Sequence, residues 1–174
     1  VIYALPGIEK DNSIPNEGGQ ELQKHIFMLR FKTGGASTLL CRRGAVEEIG
    51  GFDEAFPRHQ DWEFLIRFLE VGKLAHLDEP LLQKKFTGTP DPATLEEADR
   101  LFFEKFENKM ESIDVDYDTV RRIHNFKLAK IYLSNGYFRE GVRYLLNSNV
   151  RTPVDYYQLL QRTKRGLKTK MKTS

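Results

Sequence analysis

Residues 34–86 read GGASTLLCRRGAVEEIGGFDEAFPRHQDWEFLIRFLEVGKLAHLDEPLLQKKF, and how this stretch divides decides the fold expected of the chain. Ser37–Cys41 is a short apolar run of the kind that makes a buried strand. A short helix follows over Gly44–Ile49, then a turn at Gly50, Gly51, Phe52, Asp53 and Glu54. From Asp61 to Val71, Trp62, Leu65, Ile66 and Leu69 recur at helical spacing, with Glu63, Arg67 and Glu70 opposite. Gly72 stands where a C-terminal glycine would end that helix. Lys73–Asp78 alternates like a strand, Pro80 breaks it, and Leu81–Phe86 is a second extended piece. Strands alternating with helices predict an α/β unit.

Upstream, Val1–Leu5 is a short β-rich run followed by a loop containing Pro6, Gly7, Pro15, Gly18 and Gly19, and then a helix within 21–31. Val1 stands in a segment that reads as a strand already under way, so the chain is expected to be part of something longer. Downstream of the turn-rich Thr87–Pro92 the pattern becomes helical. Leu95, Ala98, Phe102, Phe106 and Met110 form one apolar stripe, and further helices are expected over 117–134, 138–148 and 154–165. The division expected is an α/β part over 1–88, a helical extension over 89–165 and a basic flexible tail over 166–174.

At 174 residues with 40% apolar side chains, the chain is long enough to bury a core. No apolar run reaches the length of a membrane span. The single cysteine, Cys41, excludes an internal disulfide or a multi-cysteine zinc site. It fits a reducing, cytoplasmic setting. The net charge of +2 hides an asymmetry, because residues 162–174 hold six Lys/Arg and no acid. An acidic body with a basic end is not the profile of a nucleic-acid-binding protein. It does suit a peripheral contact with the inner membrane face, or simply a solvated tail.

The order Gly50-Gly51-Phe52-Asp53-Glu54, then Gln60-Asp61-Trp62 with Arg67 down the helix, then Asp78-Glu79-Pro80-Leu81, resembles the C-terminal half of the family 2 glycosyltransferases. These are inverting, nucleotide-sugar-dependent enzymes of the GT-A fold. The resemblance implies an α/β fold, the acceptor-side half of a GT-A sheet with helices, followed here by an all-α C-terminal bundle. It implies transfer of a sugar from a nucleotide-diphospho-sugar donor to a hydroxyl of a glycan or lipid-linked acceptor. The family's uridine-binding strand and its metal-binding Asp-x-Asp lie upstream of everything in this chain. A divalent metal, Mn or Mg, would therefore be held by that absent half, and this chain alone would be inactive. A sheet edge left open by the missing half would favour self-association.

Within the resemblance, Asp61 matches the general base, at a helix N-terminus that favours its anion; a plain helix cap is the alternative. Gly50 and Gly51 would let backbone approach a sugar, or end a helix. Phe52 belongs to the same acceptor turn. Asp53 would contact an acceptor hydroxyl or brace the turn, and Trp62 would stack on a sugar or fill core. Gln60 replaces a frequent glutamate, and His59 beside it would touch acceptor or phosphate, or remain solvated. A histidine common after the last strand is missing, which leaves Lys84 and Lys85 as candidate diphosphate contacts. Asp114-Val115-Asp116 spells Asp-x-Asp but lies just before a helix, where acids are enriched, and is rejected as a metal site.

A second pattern lies in the helical part. Ala129, Tyr132, Gly136, Gly141, Leu145 and Pro153 follow the spacing of one tetratricopeptide repeat. The competing reading of the chain is therefore a tetratricopeptide-like interaction module on a non-catalytic scaffold, for which Tyr132, Tyr137 and Tyr144 would line a groove. A basic-tailed membrane adaptor is the third.

Overall fold

The computed structural model describes residues 2–3, 17–31, 34–77, 79, 82–83, 90–148 and 152–173. They fall into two compact units, 1–86 and 87–174. Named in chain order, the elements of the first unit are β1 (Ile2–Tyr3), α1 (Gln23–Phe27), α2 (Arg43–Glu48), α3 (Gln60–Val71) and β2 (His76–Leu77).

The α/β sheet expected for this unit is overturned. Among the described residues, strand pairing comprises a parallel pair of two-residue strands, Ile2 with His76 and Tyr3 with Leu77, an antiparallel bridge between Gly18 and Leu74, and a single bridge residue at the extended Leu39. Helices account for most of the remaining ordered backbone. The physical reason is local at Ser37–Cys41. Gly35 takes a left-handed φ of 94°, Ala36–Thr38 curls into a single 3-10 turn, and the Thr38 hydroxyl donates back to the Gly35 carbonyl at 2.8 Å. Such a side-chain bond competes with a sheet ladder. A Cβ on Gly34 would lie 2.3 Å from the Thr38 methyl, so the turn needs glycine there. The extended pieces expected around Ala4–Leu5 and over Lys84–Phe86 lie outside the described residues.

The core of this unit is built on α3. Phe64, Leu65, Ile66 and Leu69 are buried along it, together with Leu22, Ile26 and Phe27 from the α1 region. Gln23, also buried, donates through Nε2 to the carbonyl of Ile66 at 2.8 Å and to Glu70, which ties α1 to α3. The expected one-sided stripe is too narrow, since Glu63 and Phe68 are buried as well. Gly72 is not a left-handed terminator: it is extended (φ −149°), and a Cβ there would sit 3.0 Å from the Phe68 ring. Glycine serves space at that position rather than conformation.

The second unit is helical: α4 (Pro92–Ser112), α5 (Tyr117–Ser134), α6 (Phe138–Leu146) and α7 (Pro153–Thr173). Asp91 caps α4 by accepting from the Thr94 amide at 2.8 Å, with Pro92 in the first turn where its missing N–H costs nothing. Leu95, Ala98, Phe102, Phe106 and Met110 are all buried, as their spacing predicts. Asp116 of the Asp-x-Asp sequence caps α5, accepting from the Thr119 amide at 2.8 Å. The end of α5 is a Schellman motif. Gly136 is left-handed at φ 83°, its amide donates to the Leu133 carbonyl, and the Tyr137 amide donates to that of Tyr132.

Side-chain partners fix the helix directions. Tyr132 stacks on Tyr144 and Asn125 bonds the Asn147 carbonyl, so α6 runs antiparallel to α5. Lys130 bonds Gln158, while Gly166 lies on the carbonyl of Leu133, so α7 runs alongside α5 in the same sense. Thr152 and Asp155 start α7 with a reciprocal capping box. That helix continues through 166–173, the stretch expected to be a flexible tail.

Candidate functional site

The residues brought together by the first unit centre on the turn after α2. Gly50 and Gly51 have φ of 76° and 74°, a conformation that any Cβ resists, and the space a Cβ would occupy is open at both. Arg67 holds this turn in place. Its guanidinium donates to the carbonyl of Gly51 at 2.7 Å, to that of Ile49, and to both carboxylate oxygens of Glu63 at 2.5 and 2.7 Å. Glu63 is completely buried, and its carboxylate pushes the Arg67 pKa above its ordinary value. Phe52 stacks on the buried Phe64 with ring centroids 4.4 Å apart. The glycine turn therefore lies against the second turn of α3.

Asp61 is half-buried in the first turn of α3, two residues after the helix-capping position, which His59 occupies. His59 has a left-handed backbone (φ 60°), strained for a side-chain-bearing residue, and its ring stacks on that of Trp62 at 4.0 Å and 7°. Gln60 spends its side-chain N–H on the Phe56 carbonyl at 2.8 Å. Asp53 braces the turn by accepting from the Ala55 amide at 3.0 Å. Phe52 is partly exposed and Trp62 half-buried. Lys84 and Lys85, the candidate diphosphate contacts, lie outside the described residues, as do Asp78, Pro80 and Leu81 of the motif.

Arg67 and Glu63 are the residues whose part was missed: spacing alone assigned both to a solvated face. The signal was present, because a Glu and an Arg at i and i+4 reach each other on a helix. What the spacing lacks is the turn that buries them.

Among the described residues, no group of three or more His, Cys, Asp or Glu side chains is placed to hold a metal ion. The divalent metal that the resemblance implies is expected in a segment other than the described one.

The second unit carries a groove of about 560 Å³ between α4, α5 and α6, lined among others by Asp99, Phe103, Tyr117, Arg121, His124 and Tyr144. Asp99 is buried, with Lys127 at 3.0 Å and His124 at 3.3 Å. Glu96 accepts from the Tyr132 hydroxyl and lies 3.4 Å from Arg143. Burial, reinforced by Glu96, pushes Tyr144 up to about 12 and Tyr132 above its ordinary value. Of the tyrosines expected to line a groove, Tyr144 does. Tyr132 is buried behind it, and Tyr137 is exposed, meeting Tyr132 edge-on.

Compared with known protein families, with curated proteins and with solved structures, the chain matches none. No helix among the described residues is long and apolar enough to cross a membrane.

Proposed function

We propose that residues 17–77 form the acceptor-side portion of a sugar-transferring enzyme, with Asp61 as its general base. The observation that carries this reading is the Gly50–Gly51 turn. Two consecutive left-handed glycines, open above and clamped by Arg67, offer bare backbone against α3, one helical turn along from Asp61. Strain at His59, in the residue that caps that helix, points the same way.

In the reaction an acceptor hydroxyl gives its proton to the Asp61 carboxylate as its oxygen bonds to the anomeric carbon. The bond from that carbon to the diphosphate breaks with inversion, and the nucleotide diphosphate departs with the electron pair. The glycine turn and the Trp62–His59 pair position the acceptor. The donor nucleotide sugar and a divalent metal on its diphosphate would be bound by a segment other than the one described.

The test takes the whole polypeptide encoded with this sequence, as wild type and as Asp61→Asn. Each is supplied with a panel of nucleotide sugars and Mn²⁺ or Mg²⁺, and release of nucleotide diphosphate is followed. A loss of ~10²-fold or more in the variant supports the base. Turnover that the variant leaves unchanged removes Asp61 from the chemistry.

One observation favours a second reading, a peptide-binding helical module: the groove between α4, α5 and α6, with aromatic and charged walls. Tight capture of a peptide by the chain, lost on Tyr144→Ala and indifferent to Asp61→Asn, would select it.

A further inference from the structure

Helix α7 carries an apolar face that nothing among the described residues of its unit covers. Its inner side is accounted for by Leu159 and Gly166, both buried against α5. On the outside, Tyr156 (63% exposed), Leu160 (55%), Leu167 (50%) and Met171 (80%) stand in solvent. At 3.6 residues per turn these four positions fall within roughly 60° of one another. They form a single stripe along a helix of 21 residues.

The charge around the stripe is one-signed. From 162 to 173 the helix holds Arg162, Lys164, Arg165, Lys168, Lys170 and Lys172 without an acid. Lys164, Arg165 and Lys168 are all exposed. Helical rotation sets Lys164 about 20° beyond the edge of the stripe and Lys168 about 60° beyond it, both on the same flank.

We infer that this face of α7 docks on an anionic lipid surface, with the apolar stripe entering the interface and Lys164 and Lys168 on its flank meeting headgroup phosphates and carboxylates. Amphipathic helices with a narrow apolar face and a cationic border bind membranes in this way, lying in the plane of the interface rather than crossing it. Charge complementarity decides the occupant. A second copy laid on the same face would bring Lys164 and Lys168 against cations of the same flank, whereas an anionic leaflet neutralises both. The inference is independent of the proposed sugar transfer, since it uses no residue of the first unit.

The experiment is co-sedimentation of the whole chain with vesicles of phosphatidylcholine alone and with one third phosphatidylserine. Binding to the anionic vesicles and not to the neutral ones is expected. Replacing Lys164 and Lys168 together by Gln should weaken it by about 25-fold, near fivefold for each cation. Replacing Leu160 and Met171 by Ser should weaken it by about tenfold. All four side chains are exposed, and far-UV circular dichroism checks that the helices persist. No binding to the anionic vesicles overturns the inference, as does equal binding to the neutral ones. So does binding indifferent to the Leu160 and Met171 changes, which would reduce the helix to a loose polycation. A dimer seen by ultracentrifugation that dissociates on those two changes would assign the face to a second copy instead.

Discussion

The guanidinium of Arg67 lies 2.7 Å from the carbonyl oxygen of Gly51, joining the middle of one helix to a turn sixteen residues earlier. The same group holds Glu63, a carboxylate with no exposure to solvent. A buried ion is tolerated only with its partner, so removing the cation strands the anion. Arg67→Met is expected to cost about 3 kcal/mol or more. The double change Arg67→Met with Glu63→Leu should recover much of that, because the stranded charge goes too. Arg67→Lys keeps the charge but not the planar fork that reaches two carbonyls and a carboxylate. It should loosen the turn, read as faster hydrogen exchange at the Gly51 amide, which is held on the Val46 carbonyl at 2.9 Å. Urea unfolding midpoints of the variants check the energies.

The paired glycines of that turn make a different prediction. Nothing lies within 4 Å of a Cβ at Gly50 or Gly51, so substitution meets no atoms and only the backbone resists. Gly50→Ala and Gly51→Ala should each cost about 1–2 kcal/mol. Gly50→Asn should cost less, because asparagine tolerates the left-handed region. Equal losses for Ala and Asn in thermal unfolding would show that contact, not conformation, fixes these positions.

Much of the second unit was legible in the sequence, and the reason is physical. An amphipathic helix writes its buried face into residue spacing, and Leu95, Ala98, Phe102, Phe106 and Met110 needed no tertiary context to be read. The first unit was misread because short apolar runs do not distinguish strand from turn. Ser37–Cys41 reads as a strand from its apolar run, whereas the two glycines before it and the Thr38 hydroxyl curl its first residues and leave Leu39 alone in a bridge. The site was half legible. The glycine turn and the helix that bears Asp61 follow from local signals, but the Arg67 bonds to Gly51 and Ile49 span sixteen and eighteen residues, beyond any periodicity. Gly166 is the same kind of case, a helix glycine whose purpose is visible only across the packed pair.

The tyrosines around Glu96 give a pH dependence with a definite sign. Burial, with Glu96 adding to it, raises Tyr132 above its ordinary value and Tyr144 to about 12, so the folded chain keeps both protons where the unfolded chain, titrating near 10, has lost them. Their contribution to stability is fully present below pH 10 and is lost as the pH climbs from 10 through 12. Phenolate absorbance should therefore show two of the seven tyrosines released later in the native chain than in urea. Glu96→Gln should move both transitions down. Native and unfolded curves that coincide would mean the phenols are solvated rather than buried against Glu96.

At Gly166 the backbone of α7 lies close against that of α5. A Cβ there would lie 1.8 Å from the carbonyl oxygen of Leu133, far inside van der Waals contact, and that atom is backbone in the last turn of α5. Gly141 meets the same residue from α6, but there the obstruction at 2.7 Å is the Leu133 side chain, which can turn aside. Gly141→Ala should therefore cost about 1–3 kcal/mol as an overpacked contact. Gly166→Ala cannot be absorbed by a rotamer, so α7 must shift off α5 and expose Leu159 and Phe126, the buried pair that seals it. The expected signature is selective: amides of α7 exchange rapidly with solvent while those of α4 and α5 stay protected. Alanine also raises intrinsic helicity relative to glycine, so isolated propensity predicts the opposite sign, a stabilised α7. Protection retained along α7 in Gly166→Ala would mean that the two helices do not pack through this glycine.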